Sequence, residues 1–227
     1  LSTINTYYNE KRVDKAAKAG RHRGQIGGLW NEIGQLQFEY LRDHGVSPAM
    51  RLLDVGCGCL RGGIHFVRYL NAGNYYGIDL SQSLLDAGYD IELKKLGLHT
   101  KIPRENLRQS GDFDASPFGV SFDAALALSL FTHLPLNHIR LCLDRLGDVM
   151  TVGAQFFATA FMLPSDGTWR QEYHHSPGTI VTHPDRDPYH YQPADIEYAC
   201  HGLPWKLLRI EDWNHPRNQS MCVFERI

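Results

Sequence analysis

The 227-residue chain is 43% hydrophobic and 21% charged, enough for a sizeable core and ordinary for a globular domain. Its 23 basic and 25 acidic residues leave a formal charge of -2, which gives no electrostatic footprint for a phosphate backbone and argues against nucleic acid as a partner. No apolar run approaches the roughly 18 residues that suggest a membrane span, and the opening LSTINTYYNEKR is too polar for a signal sequence, so a cytoplasmic protein without a membrane partner is expected. Cys57, Cys59, Cys142, Cys200 and Cys222 are odd in number and not spaced as paired C-x-x-C ligands, so no structural zinc is assigned.

In chain order, residues 25–45 place Ile26, Leu29, Ile33, Leu36, Tyr40 and Leu41 near helical spacing, and Gly45 stops the run. RLLDVG predicts a strand, the glycines after it a turn, and HFVRYL a helix. NYYGIDL is a second strand and SQSLLDAGYDIELKKLG a helix, while ENLRQSGDF and SFDAALALS are further strands. LNHIRLCLDRLGDVM is an amphipathic helix and AQFFATAFML a buried strand. The alternation fails between Pro164 and Pro193, where turn formers, histidines and aromatics mix in a long loop or hairpin. ADIEYACHG, WKLLRIEDW and QSMCVFERI close the chain as helix, strand and strand. This is an α/β pattern: a Rossmann-like, doubly wound, mostly parallel seven-stranded sheet with an antiparallel last strand. We divide it into an N-terminal helical extension, 1–45, and a catalytic domain, 46–227, with an acceptor loop at about 164–193.

LLDVGCGCLRGG carries the chemistry. Asp54 ends a strand, and Gly56 and Gly58 let the backbone turn sharply and approach a ligand with no Cβ in the way. Asp79, 21 residues beyond Gly58, ends the second strand, where a carboxylate can accept hydrogen bonds from both ribose hydroxyls. A glycine turn alone would equally be an ordinary strand-to-helix connection, and Asp79 alone a helix cap. A nicotinamide-dependent oxidoreductase would use the same switch point. Against it, Arg61 breaks the G-x-G-x-x-G fingerprint, and the Tyr-x-x-x-Lys pair, Tyr7 with Lys11, precedes the binding loop.

With these motifs the chain resembles the class I S-adenosylmethionine (SAM)-dependent methyltransferases from about residue 25 to its end. Asp54, Gly56 and Gly58 match the family's acidic residue and G-x-G, and Leu60 replaces its frequent third glycine. The resemblance implies SAM as cofactor, with Asp79 on the ribose and Ile78 and Leu80 flanking it. It also implies Asp112 and Phe113 on the adenine, and Leu128 and Ser129 near the methionine moiety. SLFTHL after the fourth strand and the late HPRNQSM look like small-molecule methyltransferases. The expected reaction is therefore O-methylation of a small hydroxylated acceptor, with a sugar or glycoside as the first class. Methylation at nitrogen, carboxylate or protein is the alternative, and a non-enzymatic SAM-binding regulator a third.

His133, just beyond the fourth strand, is the candidate general base. Trp30, His174, His175, Tyr189, His190, Tyr191, Trp213 and His215 are candidate acceptor-binding residues, because polar groups and rings in the rim loops suit a hydroxylated ligand. The same loop aromatics offer contacts for a homodimer. Asp185 and Asp187 could hold a divalent cation with nearby histidines, but HPDRDPYHY reads first as a turn and no metal is assigned.

Overall fold

The computed structural model describes residues 10–176 and 179–227. The first nine residues of the extension, Tyr7 among them, lie outside the described residues. Strands β1 (Leu52–Val55), β2 (Tyr75–Asp79), β3 (Leu107–Gln109), β4 (Phe122–Ala127) and β5 (Met150–Met162) are joined, in the order β3-β2-β1-β4-β5-β10-β9, by β9 (Trp205–Glu211) and β10 (Ser220–Arg226). The seven expected strands are therefore present, and a short eighth, β8 (His190–Tyr191), joins the sheet on β5. Strand β10 alone runs antiparallel to its neighbours, pairing Val223 with Phe157 of β5 and Met221 with Glu211 of β9.

Sequence periodicity explains how the sheet holds two layers of helices. Successive strand side chains point to opposite faces, so Leu53, Val55, Ala125, Phe156 and Phe224 enter one core and Leu52, Ala124, Phe157 and Val223 the other. The first is covered by α6 (Leu136–Gly147) and α7 (Pro193–Ala199), the second by α3 (Trp30–Asp43) and α4 (Gly63–Tyr69). A parallel sheet buried on both faces needs near-continuous apolar strands, and LLDV is buried at every position.

Two local expectations are corrected. The helix read over 25–45 begins only at Trp30, as α3, and a separate short helix, α2 (His22–Gln25), ends where it was read to start, because Gly27, Gly28 and Leu29 all take positive φ (83°, 68° and 47°) and turn the chain between them. Glycine adopts that region at little cost, so the Gly-Gly pair overrides the hydrophobic spacing. The third strand is also shorter than read, ending at Gln109 and leaving Gly111 to Phe113 in a loop. After α5 (Gln82–Ala87), capped where Ser81 Oγ accepts from Leu84 N at 3.3 Å, the helix widens into a π-helical turn over Gly88–Leu93.

The insertion after β5 folds as a hairpin, β6 (Tyr173–His175) with β7 (Ile180–Thr182), followed by β8 (His190–Tyr191), which extends the end of β5 in parallel. Thr182 sits at its centre, buried, with its Oγ1 3.0 Å from His175 Nε2 and 2.9 Å from His190 Nδ1. No described helix is long and apolar enough to cross a membrane.

Candidate functional site

A cavity opens at the carboxyl ends of β1, β2 and β4, where the strand order reverses and open α/β sheets place their ligands. Counted out through its open mouth, the space spans about 1030 Å³. The glycine turn forms its floor. Gly56 and Gly58 have φ of 73° and 55°, and the turn is tied to the second strand by Gly56 N and Cys57 N donating to Ile78 O at 2.8 and 3.1 Å. Leu60, where the family motif has its third glycine, keeps that backbone path with φ 69° and a fully buried side chain. The side chain's burial in the core offsets the left-handed strain, on the order of 1 kcal/mol.

Asp79 meets the turn directly. Its carboxylate accepts from Gly58 N and from Ser81 N, both at 2.8 Å, and burial raises its pKa against the lowering effect of those two bonds. Asp54 lies deeper, accepting from Tyr75 Oη at 2.8 Å. Burial, with a smaller push from Asp79, raises its pKa to about 7 despite Tyr75 and Arg61. A carboxyl raised in the folded state contributes stability that is full below its unfolded pKa and is lost as pH rises through about 7. We therefore expect Asp54→Asn, whose amide oxygen can still accept from Tyr75, to raise the melting temperature at alkaline pH. The gain should be on the order of 2 kcal/mol and fade as pH falls from about 7 to about 4, the unfolded carboxyl's range, as thermal denaturation at several pH values would show.

The N-terminal extension covers one side of the cavity through residues absent from the sequence-based site. Arg61 is buried and donates through Nη1 to Ile26 O and Gly28 O at 3.0 and 2.9 Å, and Arg217 donates to Gly27 O. Ile26 and Gln37 line the cavity with Arg61. A Cβ on Gly58 would stand 2.8 Å from Ile26 Cγ2, so glycine is required there by the cover as well as by φ. Further out, Glu92 anchors α2, with His22 Nε2 at 2.7 Å and Arg23 Nη2 at 2.6 Å. Burial alone would raise the Glu92 carboxyl, but Arg23 and His22 outweigh it and hold it below its usual range.

Of the residues predicted to hold a cofactor, Asp54, Gly56, Gly58, Asp79, Leu80, Phe113, Leu128 and Ser129 all line this cavity. Asp112 does not. Its carboxylate is exposed, 3.3 Å from Ser110 Oγ and 3.5 Å from Arg145, while Ser110 and Gly111 take the lining positions. Phe113 and Ser129 carry positive φ, 65° and 55°, a strain that gathers at ligand sites. Ser129 is held in that state from below: its N donates to Thr159 Oγ1 at 2.7 Å and its Oγ to Gln219 Oε1 at 3.0 Å. Gln219 belongs to HPRNQSM, which gives that motif a structural task.

His133 lines the cavity with Leu130 and Leu134, and its Nδ1 contacts the Asp187 carboxylate. None of the eight residues proposed for acceptor binding lines the cavity. Trp30 packs with Val13, Cys59, Leu84 and Ala87, under the Arg23 guanidinium at 4.3 Å. His175 and His190 are buried on Thr182, His174 is exposed on the hairpin, and Tyr189 is half-buried beside Thr132. Tyr191 is buried with its hydroxyl donating to Leu134 O, and Trp213 donates from Nε1 to Gln219 O at 2.8 Å. His215 is buried and stacked on Trp213, its pKa lowered to about 3 by burial and then by Arg61 and Arg217. The rings that were read as a stacking platform thus hold the loops together. The five cysteines are buried free thiols, and no metal-binding cluster occurs among the described residues.

A parallel sheet in this strand order, an antiparallel closing strand, and a glycine turn facing a second-strand acid define a Rossmann-like methyltransferase fold. Residues 53–156 match the family model described as a methyltransferase domain, in keeping with the resemblance to the class I SAM-dependent methyltransferases. Among solved structures it is similar to a magnesium protoporphyrin IX methyltransferase from Synechocystis bound to S-adenosylhomocysteine (SAH). That match has a TM-score of 0.65 and 14% identity, over 96% of this chain and 99% of that one. A methyltransferase from Streptomyces caelestis gives 0.62 at 13% identity, over 89% and 98% of the two chains. A putative O-methyltransferase from Nostoc punctiforme gives 0.68 at 14% identity, covering 99% of this chain and 63% of that longer one. At these identities the structural likenesses establish a shared fold.

Proposed function

We propose that the chain methylates a hydroxyl of a small acceptor, with His133 as general base. The observation that carries this reading is that His133 lines the same cavity as the Gly56–Gly58 turn and Asp79. The floor fits SAM: its glycines leave open backbone, and a second-strand carboxylate lies beside it. Asp79 would accept from the ribose hydroxyls, Leu80 and Phe113 would flank the adenine with the Ser110–Gly111 backbone, and Leu128 and Ser129 would border the methionine moiety. When bound, SAM supplies a methyl group on a sulfonium, which an acceptor oxygen displaces in line while the C–S electron pair returns to sulfur. This chain's residues contribute alignment and a proton acceptor. His133 takes the hydroxyl proton as the oxygen attacks and passes it to solvent once SAH and the methyl ether have formed. The segment ending at residue 45 acts as a cover over the cofactor side, and the insertion at about 164–193 as the acceptor-side wall.

A sugar or glycoside is the first acceptor class to test, given the polar rim loops. Leu130, Leu134 and Ile26 in the lining favour a second class, phenols, whose apolar face would lie against them. The test is a screen of the purified chain with methyl-labelled SAM against sugars, phenols, carboxylates and amines. We expect label to appear as a methyl ether. Transfer confined to amines, carboxylates or added protein would replace the hydroxyl reading, and SAM binding with no turnover on any acceptor would favour a regulator.

A further inference from the structure

We propose that Asp187, carried by the insertion between β5 and α7, is the positioning residue that fixes the His133 tautomer. The inference rests on the reading of His133 as base. Asp187 Oδ1 meets His133 Nδ1, and the two side chains are only 10% and 25% exposed. The contact joins residues 54 apart in sequence and is framed by main-chain ties. Tyr189 N donates to Thr132 O at 2.8 Å, next to His133, and the Tyr191 hydroxyl donates to Leu134 O on its other side. Within the insertion, His183 N donates to Pro188 O at 2.8 Å, and β8 is laid along β5 with His190 opposite Phe161. The segment that carries Asp187 is thus fastened to the turn that carries His133.

The neighbouring charges are otherwise engaged. Asp185 is exposed and lies 3.6 Å from Arg186, and Arg186 and His183 both pair with Glu172, at 2.6 and 2.9 Å. Asp187 is the acid of this run that turns inward.

A carboxylate only accepts hydrogen bonds, so a neutral imidazole facing it must place its proton on Nδ1. Nε2 then carries the lone pair, which is the nitrogen state a base needs. When the acceptor proton arrives on Nε2 the imidazole becomes a cation, and the Asp187 charge stabilises it without a proton leaving Nδ1. The insertion is by this account part of the catalytic apparatus as well as a wall for the acceptor.

The test needs no acceptor. Long-range proton–nitrogen spectra of the full chain labelled in histidine nitrogen distinguish the two neutral tautomers, and His133→Asn identifies the signal. At a pH where the spectra show a neutral imidazole, the native chain should have His133 protonated at Nδ1 and unprotonated at Nε2. Asp187→Ala should move it largely to the Nε2-protonated form, and Asp187→Glu should restore part of the native signal. If the alanine variant fails to bind SAM, Asp187→Leu serves instead, since its side chain offers Nδ1 neither donor nor acceptor and should give the Nε2-protonated signal. A native His133 protonated at Nε2, or a tautomer indifferent to residue 187, would overturn the proposal. On any acceptor found to turn over, Asp187→Ala should lower kcat by about 10–100-fold with KM for SAM unchanged. If His133→Asn kept native turnover, the reading of His133 as base would fall whatever the spectra show. A slow His133→Asn beside an Asp187→Ala with native tautomer and kcat would sink the Asp187 assignment alone.

Discussion

Replacing His133 with Asn should lower the turnover number by about 10²–10⁴-fold, the range general-base catalysis contributes, while SAM affinity stays as in the native chain. The split follows from position. His133 follows the fourth strand and is tied to Asp187, whereas the residues that would hold the cofactor are Gly56, Gly58 and Asp79 on the first and second strands. Asparagine retains a donor toward Asp187, so the tie between the 131–133 turn and the insertion survives and the loss reads as lost proton transfer. Steady-state kinetics with calorimetry of SAM on the same preparation would measure both. A variant with native kcat would leave alignment alone as the source of catalysis. A variant that had lost SAM binding would place His133 in the cofactor site.

The parts of this site that were legible in the sequence are those whose chemistry is local. A strand followed by two glycines at fixed spacing must turn, and an acid ending the next strand must come to the same edge of a parallel sheet; both landed on the cavity. Arg61 was visible only as a departure from a fingerprint, because its partners Ile26 and Gly28 are 35 and 33 residues away and reach it through the packing of the extension. The acceptor rings misled for a related reason. Composition shows that an insertion is rich in histidine and aromatics but not which way they face, and here Thr182 collects His175 and His190 into a small core. Asp112 was displaced because β3 ends at Gln109, which leaves Ser110 and Gly111 to line the cavity and sends the carboxylate to Arg145. In the extension, apolar spacing suggested a helix from residue 25, and the Gly27–Gly28 pair delays it to Trp30.

Asp79→Ala should weaken SAM binding by about 2–4 kcal/mol, since two charge-assisted hydrogen bonds to a ribose in a partly dry site would be lost. The same carboxylate holds Gly58 N and Ser81 N at 2.8 Å, so the substitution also frees the glycine turn and should cost on the order of 1 kcal/mol of stability. Asp79→Asn keeps one acceptor and should fall between the native chain and the alanine variant. Burial raises the Asp79 pKa, so protonation removes the charged acceptor at a higher pH than for an exposed aspartate. Native affinity should accordingly decline as pH is lowered toward the acid range, and the alanine variant should lack that dependence. Unchanged affinity in Asp79→Ala would place the ribose elsewhere.

The most direct test of the account is calorimetric titration of the full chain with SAM, SAH and NAD in turn. The glycine turn facing Asp79, with Arg61 at the fingerprint position and the 26–28 segment closed over it, predicts micromolar binding of the first two and no measurable binding of NAD. Binding of NAD with neither SAM nor SAH would contradict the assignment of this cavity and the methyl-transfer function built on it.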